Sequence, residues 1–158
     1  MQSSQTAFMQ RAIELAQKHS MQGTGGPFGA VIVLDNQIVA EGWNEVTSSL
    51  DPTAHAEITA IRKACKKIKN FRLENALIFS TCEPCPMCLS AIYWARISGI
   101  YFAASRKEAK AVGFDDDFLY NELPLALEKR TIPCQQMLKE DAFRMMQLWQ
   151  NKPDKMLY

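Results

Sequence analysis

The 158-residue sequence has no apolar run approaching the roughly eighteen residues that span a bilayer, and no basic segment followed by an apolar one opens it. Neither membrane insertion nor secretion is therefore expected, and a cytoplasmic location is. An excess of one charge is missing too: 18 Lys and Arg stand against 17 Asp and Glu, a formal +1. Neutralising many phosphates favours a basic surplus, so the charge gives no reason to expect a nucleic-acid partner. Internal repeats, low-complexity tracts and linkers are also absent, which leaves residues 1–158 as a single domain. What the chain does have is 47% hydrophobic residues, enough for a core without disulfides. Its five cysteines are odd in number, and three fall in Cys82-x-x-Cys85-x-x-Cys88. That spacing fits a metal or thiolate site in a reducing compartment better than a disulfide framework.

Apolar residues at helical spacing predict an amphipathic helix from about Gln5 to Ser20, broken by Gly23 to Pro27. The unbroken run Phe28-Gly-Ala-Val-Ile-Val-Leu, a turn at Asp35-Asn36 and a strand over Gln37 to Trp43 predict a hairpin. Asn44 to Thr53 reads as a loop into a helix from about Ala54 to Lys67. Strand and helix then alternate: a strand over Ala76 to Ser80, a helix from near Pro84, a strand over Gly99 to Ala103, and a helix over Arg106 to Val112. This pattern predicts an α/β sandwich whose sheet is mostly parallel after the opening hairpin. Past Gly113 the pattern is irregular until a last apolar-periodic stretch, Met137 to Trp149.

Two predicted helix starts carry chemistry, His55-Ala-Glu57 and Pro84-Cys85-Pro-Met-Cys88. Cys85 and Cys88 are three apart, so one helical turn aims their sulfurs the same way; with His55 they form a donor set suited to zinc. Three ligands leave a fourth tetrahedral position for water. Residues two apart in a regular helix point about 200° from each other, so His55 and Glu57 converge only at a helix end, where they stand. Glu57 is then the proton carrier: it takes a proton from the attacking water and returns protons to a ring nitrogen and a departing amine. Each half alone is common, and Cys-x-x-Cys also occurs in structural zinc, redox and iron–sulfur sites. The pair in this order is the zinc deaminase signature. A closed structural site with Cys82 as fourth ligand is the non-catalytic alternative, whereas a ferredoxin run would need a cysteine where Ile92 stands.

On these motifs the chain resembles the cytidine deaminase-like superfamily and, within it, is similar to the bacterial guanine deaminases. The resemblance runs from about Gly25 to Tyr158 through Gly26-Pro-Phe-Gly-Ala30, Asp51-Pro-Thr-Ala-His-Ala-Glu57, Thr81-Cys-Glu-Pro-Cys-Pro-Met-Cys88, Ala91-Ile-Tyr-Trp-Ala-Arg96, Gly113-Phe-Asp-Asp116 and Leu157-Tyr158. The first three stretches are shared with tRNA adenosine deaminases; the last three favour the guanine enzymes. The resemblance implies a three-layer α/β/α sandwich with a mixed, mostly parallel five-stranded sheet. It also implies one zinc ion per subunit on His55, Cys85 and Cys88, with Glu57 as catalytic proton shuttle. Asn44 and the backbone near Ala56 would hold a purine, with Phe28 and Trp94 flanking its ring. Asp116 would read guanine, and Tyr158 would cover the pocket from the other subunit of a domain-swapped homodimer, the swapped part lying in 137–158. The implied reaction is hydrolysis of guanine to xanthine and ammonia, with a guanosine or tRNA adenosine deaminase as alternatives. A carboxylate suits guanine, whose Watson–Crick edge offers N–H donors where adenine offers an acceptor.

The same residues admit plainer readings. Asp115, Asp116 and Asp117 form one acidic run in which any member could read the base, or all three could be a solvated loop or cap. Trp94 and Phe28 suit a core, His19 a helix C-terminus, and Cys65 and Cys134 the role of small hydrophobes. Lys63, Lys66, Lys67 and Lys69 read as a wet face or, in a tRNA enzyme, a binding stripe.

Overall fold

A computed structural model of the protein describes residues 2–157. Helix α1 (Gln2–Met21) buries Ala12, Leu15 and Ala16, a stripe at helical spacing. Strands β1 (Gly29–Leu34) and β2 (Gln37–Trp43) form the expected hairpin. At its turn, Asp35 and Asn36 take φ of 50° and 60°. A tight two-residue turn requires two such left-handed residues, and Asp and Asn tolerate that region.

The polar stretch after β2 contains one short helix, α2 (Val46–Ser49), which its lack of apolar periodicity had concealed. There follow α3 (Ala56–Ile68), β3 (Leu77–Cys82), α4 (Pro86–Trp94), β4 (Gly99–Ala104) and α5 (Arg106–Ala111). Alternation along the strands sends side chains to two cores. Ala30, Ile32 and Ile78 pack with α3 and α4, while Val31, Val33 and Phe79 pack with α1. Helices thus cover both faces of the sheet. No helix among the described residues is long and apolar enough to cross a membrane.

The sheet differs from expectation. Among the described residues it has four strands in the order β2-β1-β3-β4, not five. β1 runs antiparallel to both β2 and β3, and only β3 and β4 pair in parallel. The reason lies in the crossover. β2 and β3, joined through α3, point the same way, as the alternation of elements suggested, but β1 lies between them and opposes both.

Gly42 sets how closely α3 approaches β2. A Cβ placed there would lie 2.2 Å from the Ala56 carbonyl oxygen and 2.6 Å from the Ala60 nitrogen. Both contacts are to backbone, so the helix itself would have to move. Gly42→Ala is expected to lower stability by about 1–3 kcal/mol and to reduce activity by displacing the first turn of α3, as read from a urea midpoint and steady-state rates.

Residues up to Asp116 form one compact unit and those from Asp117 a second. The second comprises α6 (Asp117–Glu122), a 3-10 turn over Leu127–Lys129 and α7 (Lys139–Gln150), the last close to the predicted final helix. Glu122 accepts from the backbone N–H and hydroxyl of Thr131 at 2.9 and 2.7 Å, which ties this segment to itself. No residue of α7 is buried, and its apolar Phe143 and Leu148 are 58% and 75% exposed.

Candidate active site

The loop before α3 is held by Asp51, whose carboxylate accepts from the backbone N–H and hydroxyl of Thr53 at 2.8 and 2.7 Å. Beyond it the Ala54 carbonyl accepts from Glu45 N–H at 2.9 Å. His55 is therefore presented in extended conformation (φ −67°, ψ 158°) as the N-cap of α3, and Glu57 sits in the first helical turn. The capping position turns His55 out of the helical spiral, so its ring and the Glu57 carboxyl can approach the same point.

The cysteine loop is built similarly. β3 runs through Cys82, and Glu83 then ties the chain to β4 and α5: its N–H donates to Ala104 O at 2.8 Å, and its carboxylate accepts from Arg106 N–H at 3.1 Å. Cys85 is the extended N-cap of α4 (φ −62°, ψ 166°), with Pro86 in the first helical position, where its missing N–H costs nothing. Cys88 lies one turn along and is fully buried. Two helices thus present their N-termini, the positive ends of their dipoles, to one point.

There His55 Nδ1 lies 3.7 Å from Cys85 Sγ and 3.5 Å from Cys88 Sγ, and the three donor atoms fall within 4.8 Å of one another. Zinc bonds of about 2.0 Å to nitrogen and 2.3 Å to sulfur, opened at a tetrahedral angle, place such donors about 3.5 Å apart. The donor set fits zinc in both chemistry and spacing. Cys82 is not part of the group; its thiol points away from it, to Ser105 O at 3.8 Å. The closed four-ligand alternative is thus not formed.

Glu57 is buried beside these ligands. One of its carboxyl oxygens accepts from the Ser80 hydroxyl at 3.1 Å and the other from the Cys88 thiol at 3.4 Å. Burial raises the Glu57 carboxyl above the usual carboxylate range. The two thiols share their protons unequally. The hydrogen bond from Cys88, aided by His55, draws Cys85 down to about 4, while the same contact and burial keep Cys88 protonated. His55 is raised first by its contact with Cys85. A metal entering this site displaces protons, so its affinity falls as pH falls.

Around this cluster Asn44 is buried, and its side-chain oxygen accepts from the N–H groups of Gly26 and Val46, each at 3.3 Å. Because backbone N–H groups require an acceptor, this fixes the amide orientation and turns its NH2 donors elsewhere. Ala56, the first residue of α3, is fully buried. Phe28 packs edge-on against Phe114, with centroids 4.8 Å apart, a pairing the sequence reading did not anticipate. Trp94 ends α4 with most of its surface exposed, and so is not the core aromatic of the plainer reading. The acidic run separates by environment. Asp115 bridges Lys110 at 3.0 Å, half-buried Asp116 has its charge felt at His55 and Cys82, and Asp117 begins α6 in the second unit. Tyr158 lies outside the described residues.

His19 stacks on Trp43 with centroids 3.7 Å apart, and Lys63 stands 4.0 Å above the same ring, so neither belongs to the metal cluster. The residue that sequence reasoning missed is Ser80. Its signal was present as the first polar residue after the apolar run Leu77-Ile-Phe of a central strand, two residues from Ile78 and so on the same buried face.

Residues 2–104 match the cytidine and deoxycytidylate deaminase zinc-binding region. The chain is 50% identical over 151 residues to the guanine deaminase of Bacillus subtilis, covering 96% of this chain and 97% of that one. To a tRNA-specific adenosine deaminase of Haemophilus influenzae it is 45% identical over 118 residues, 72% of this chain and 68% of the other. The X-ray structure of guanine deaminase from Bacillus subtilis superimposes with a TM-score of 0.94 at 49% identity, covering 97% of this chain and 98% of that one.

Proposed function

We propose that this chain, which belongs to the cytidine and deoxycytidylate deaminase zinc-binding family, hydrolyses guanine to xanthine and ammonia. The observation that carries this is a buried carboxylate, Glu57, beside an open three-donor zinc site made by His55, Cys85 and Cys88. Guanine is favoured over other amino-bearing bases because similarity to the Bacillus subtilis enzyme extends over nearly the whole chain, whereas that to the tRNA enzyme covers 72%.

Bound to His55, Cys85 and Cys88, zinc supplies the Lewis acidity that makes water a nucleophile near neutral pH. The chain's residues do the rest. Glu57 accepts a proton from the attacking water as oxygen bonds to the ring carbon bearing the amino group. It gives that proton to the adjacent ring nitrogen, then takes the remaining proton of the added hydroxyl and passes it to the amine as the C–N bond breaks and the carbonyl forms, so guanine and water become xanthine and ammonia and Glu57 returns to a carboxylate. Asn44 donates through its free amide N–H groups, and the backbone at Ala56 lies at the helix N-terminus where it can bind the ring. Phe28 and Trp94 flank the ring. Asp116 accepts from guanine N–H donors, a role for which its half-buried place and its field at His55 favour it over Asp115 and Asp117.

The proposed working form is a cytoplasmic homodimer in which residues 1–158 make one deaminase domain. Its C-terminal segment, 137–158, lies on a second subunit, and Tyr158 covers that subunit's pocket. The uncovered apolar residues of α7 support this, because a stripe including Phe143 and Met146, three apart on the helix, needs a partner surface. Thiolate ligands also suit a reducing compartment.

Zinc-replete protein given guanine, guanosine, adenine and cytidine in parallel should form xanthine and ammonia from guanine alone, as followed by chromatography. Turnover of guanosine without guanine would transfer the assignment to a nucleoside enzyme.

A further inference from the structure

We infer that Ser80 is a positioning residue that holds the Glu57 carboxylate in its working orientation, an inference that rests on the reading of Glu57 as the proton carrier. Ser80 lies on β3, is 1% exposed, and faces the α3 side of the sheet together with Ile78 and its cross-strand neighbour Ala30. A hydroxyl buried among such neighbours is unfavourable unless it is hydrogen bonded. An Ala or Val would fit this face without that cost, so the polar group calls for a reason.

The reason is its partner. The Ser80 hydroxyl donates to Glu57 Oε1 at 3.1 Å. The terminal torsion of a glutamate side chain is soft, with no sharp rotameric wells. Fixing one oxygen therefore sets the direction of the other. Oε2 is left on the side of the metal donors, where it meets the Cys88 sulfur at 3.4 Å. With Cys88 serving as a thiolate ligand its sulfur would no longer donate, and Ser80 would remain the side-chain donor on the carboxylate, beside the N–H of Glu57 itself. The same strand that delivers the chain to Cys85 thus also aims the group that must carry protons from water to substrate. Misaiming a proton carrier by about an ångström costs on the order of a hundredfold in rate, whereas ground-state binding of the base need not change.

Ser80→Ala is expected to keep one zinc per chain and its melting temperature, to lower kcat about 10- to 100-fold, and to leave KM within about twofold, by analogy with a contact made only in the transition state. Ser80→Thr, which retains the hydroxyl, should recover most of the rate. In the crystal structure of zinc-loaded Ser80→Ala, the Glu57 carboxylate should be rotated or split between orientations. Placed on Glu57→Gln, the substitution should lower the residual rate no further. Wild-type kcat in Ser80→Ala, an unchanged single Glu57 orientation, or an equal loss in both backgrounds would overturn the inference. Wild-type activity in Glu57→Gln alone would instead overturn the reading on which it rests.

Discussion

Glu57→Gln is expected to lose kcat by about a thousandfold, within the range general acid–base catalysis contributes, while keeping one zinc per chain. Glutamine has the same shape and still offers an oxygen to the Ser80 hydroxyl, which meets Glu57 at 3.1 Å. What it cannot do is accept a proton from water and release it to the ring nitrogen and amine. Glu57 is also not among the three donors that converge for metal, so its loss should leave the ion in place. Metal analysis beside steady-state kinetics separates the two effects. Retention of zinc with retention of turnover would remove Glu57 from the mechanism.

Cys88→Ala has the opposite signature. Cys88 is fully buried at the start of α4 and supplies one of three donors, with its sulfur 3.5 Å from His55 Nδ1. Removing it leaves two ligands, so zinc content should fall well below one per chain and turnover should fall to background. Stability follows, because a metal that binds only the folded state adds about 4 kcal/mol when present at a thousand times its dissociation constant. Wild-type protein should accordingly melt several degrees lower after chelation, and Cys88→Ala should melt alike with and without chelator. A variant that still bound zinc stoichiometrically would show that another residue completes the site, with Cys82 the first to test.

The convergence of His55, Cys85 and Cys88 was legible because zinc narrows the choice of residue types and because donors on helix starts impose fixed spacings. His55 and Glu57, two apart, make sense only at a helix end, and the structure places His55 as the cap and Glu57 in the first turn. The hairpin was equally plain, since Asp35-Asn36 supplies the two left-handed residues of its turn. Adjacency in the sheet was not. Strand–helix alternation reports the direction of β2 and β3 but not that β1 lies between them. α2 and α6 are too short for apolar periodicity to announce them. Ser80 was passed over because the polar pair Ser80-Thr81 near the end of a strand looks like the approach of a turn. Only the packing of α3 against β3 reveals that it faces a buried carboxyl.

The most direct test of the account is to titrate metal-free protein with zinc in water enriched in oxygen-18 and to follow guanine conversion by mass spectrometry. The account predicts activity that rises to a plateau at one zinc per chain, with one labelled oxygen in each xanthine and one ammonia released. Conversion independent of zinc, or xanthine without the label, would contradict it.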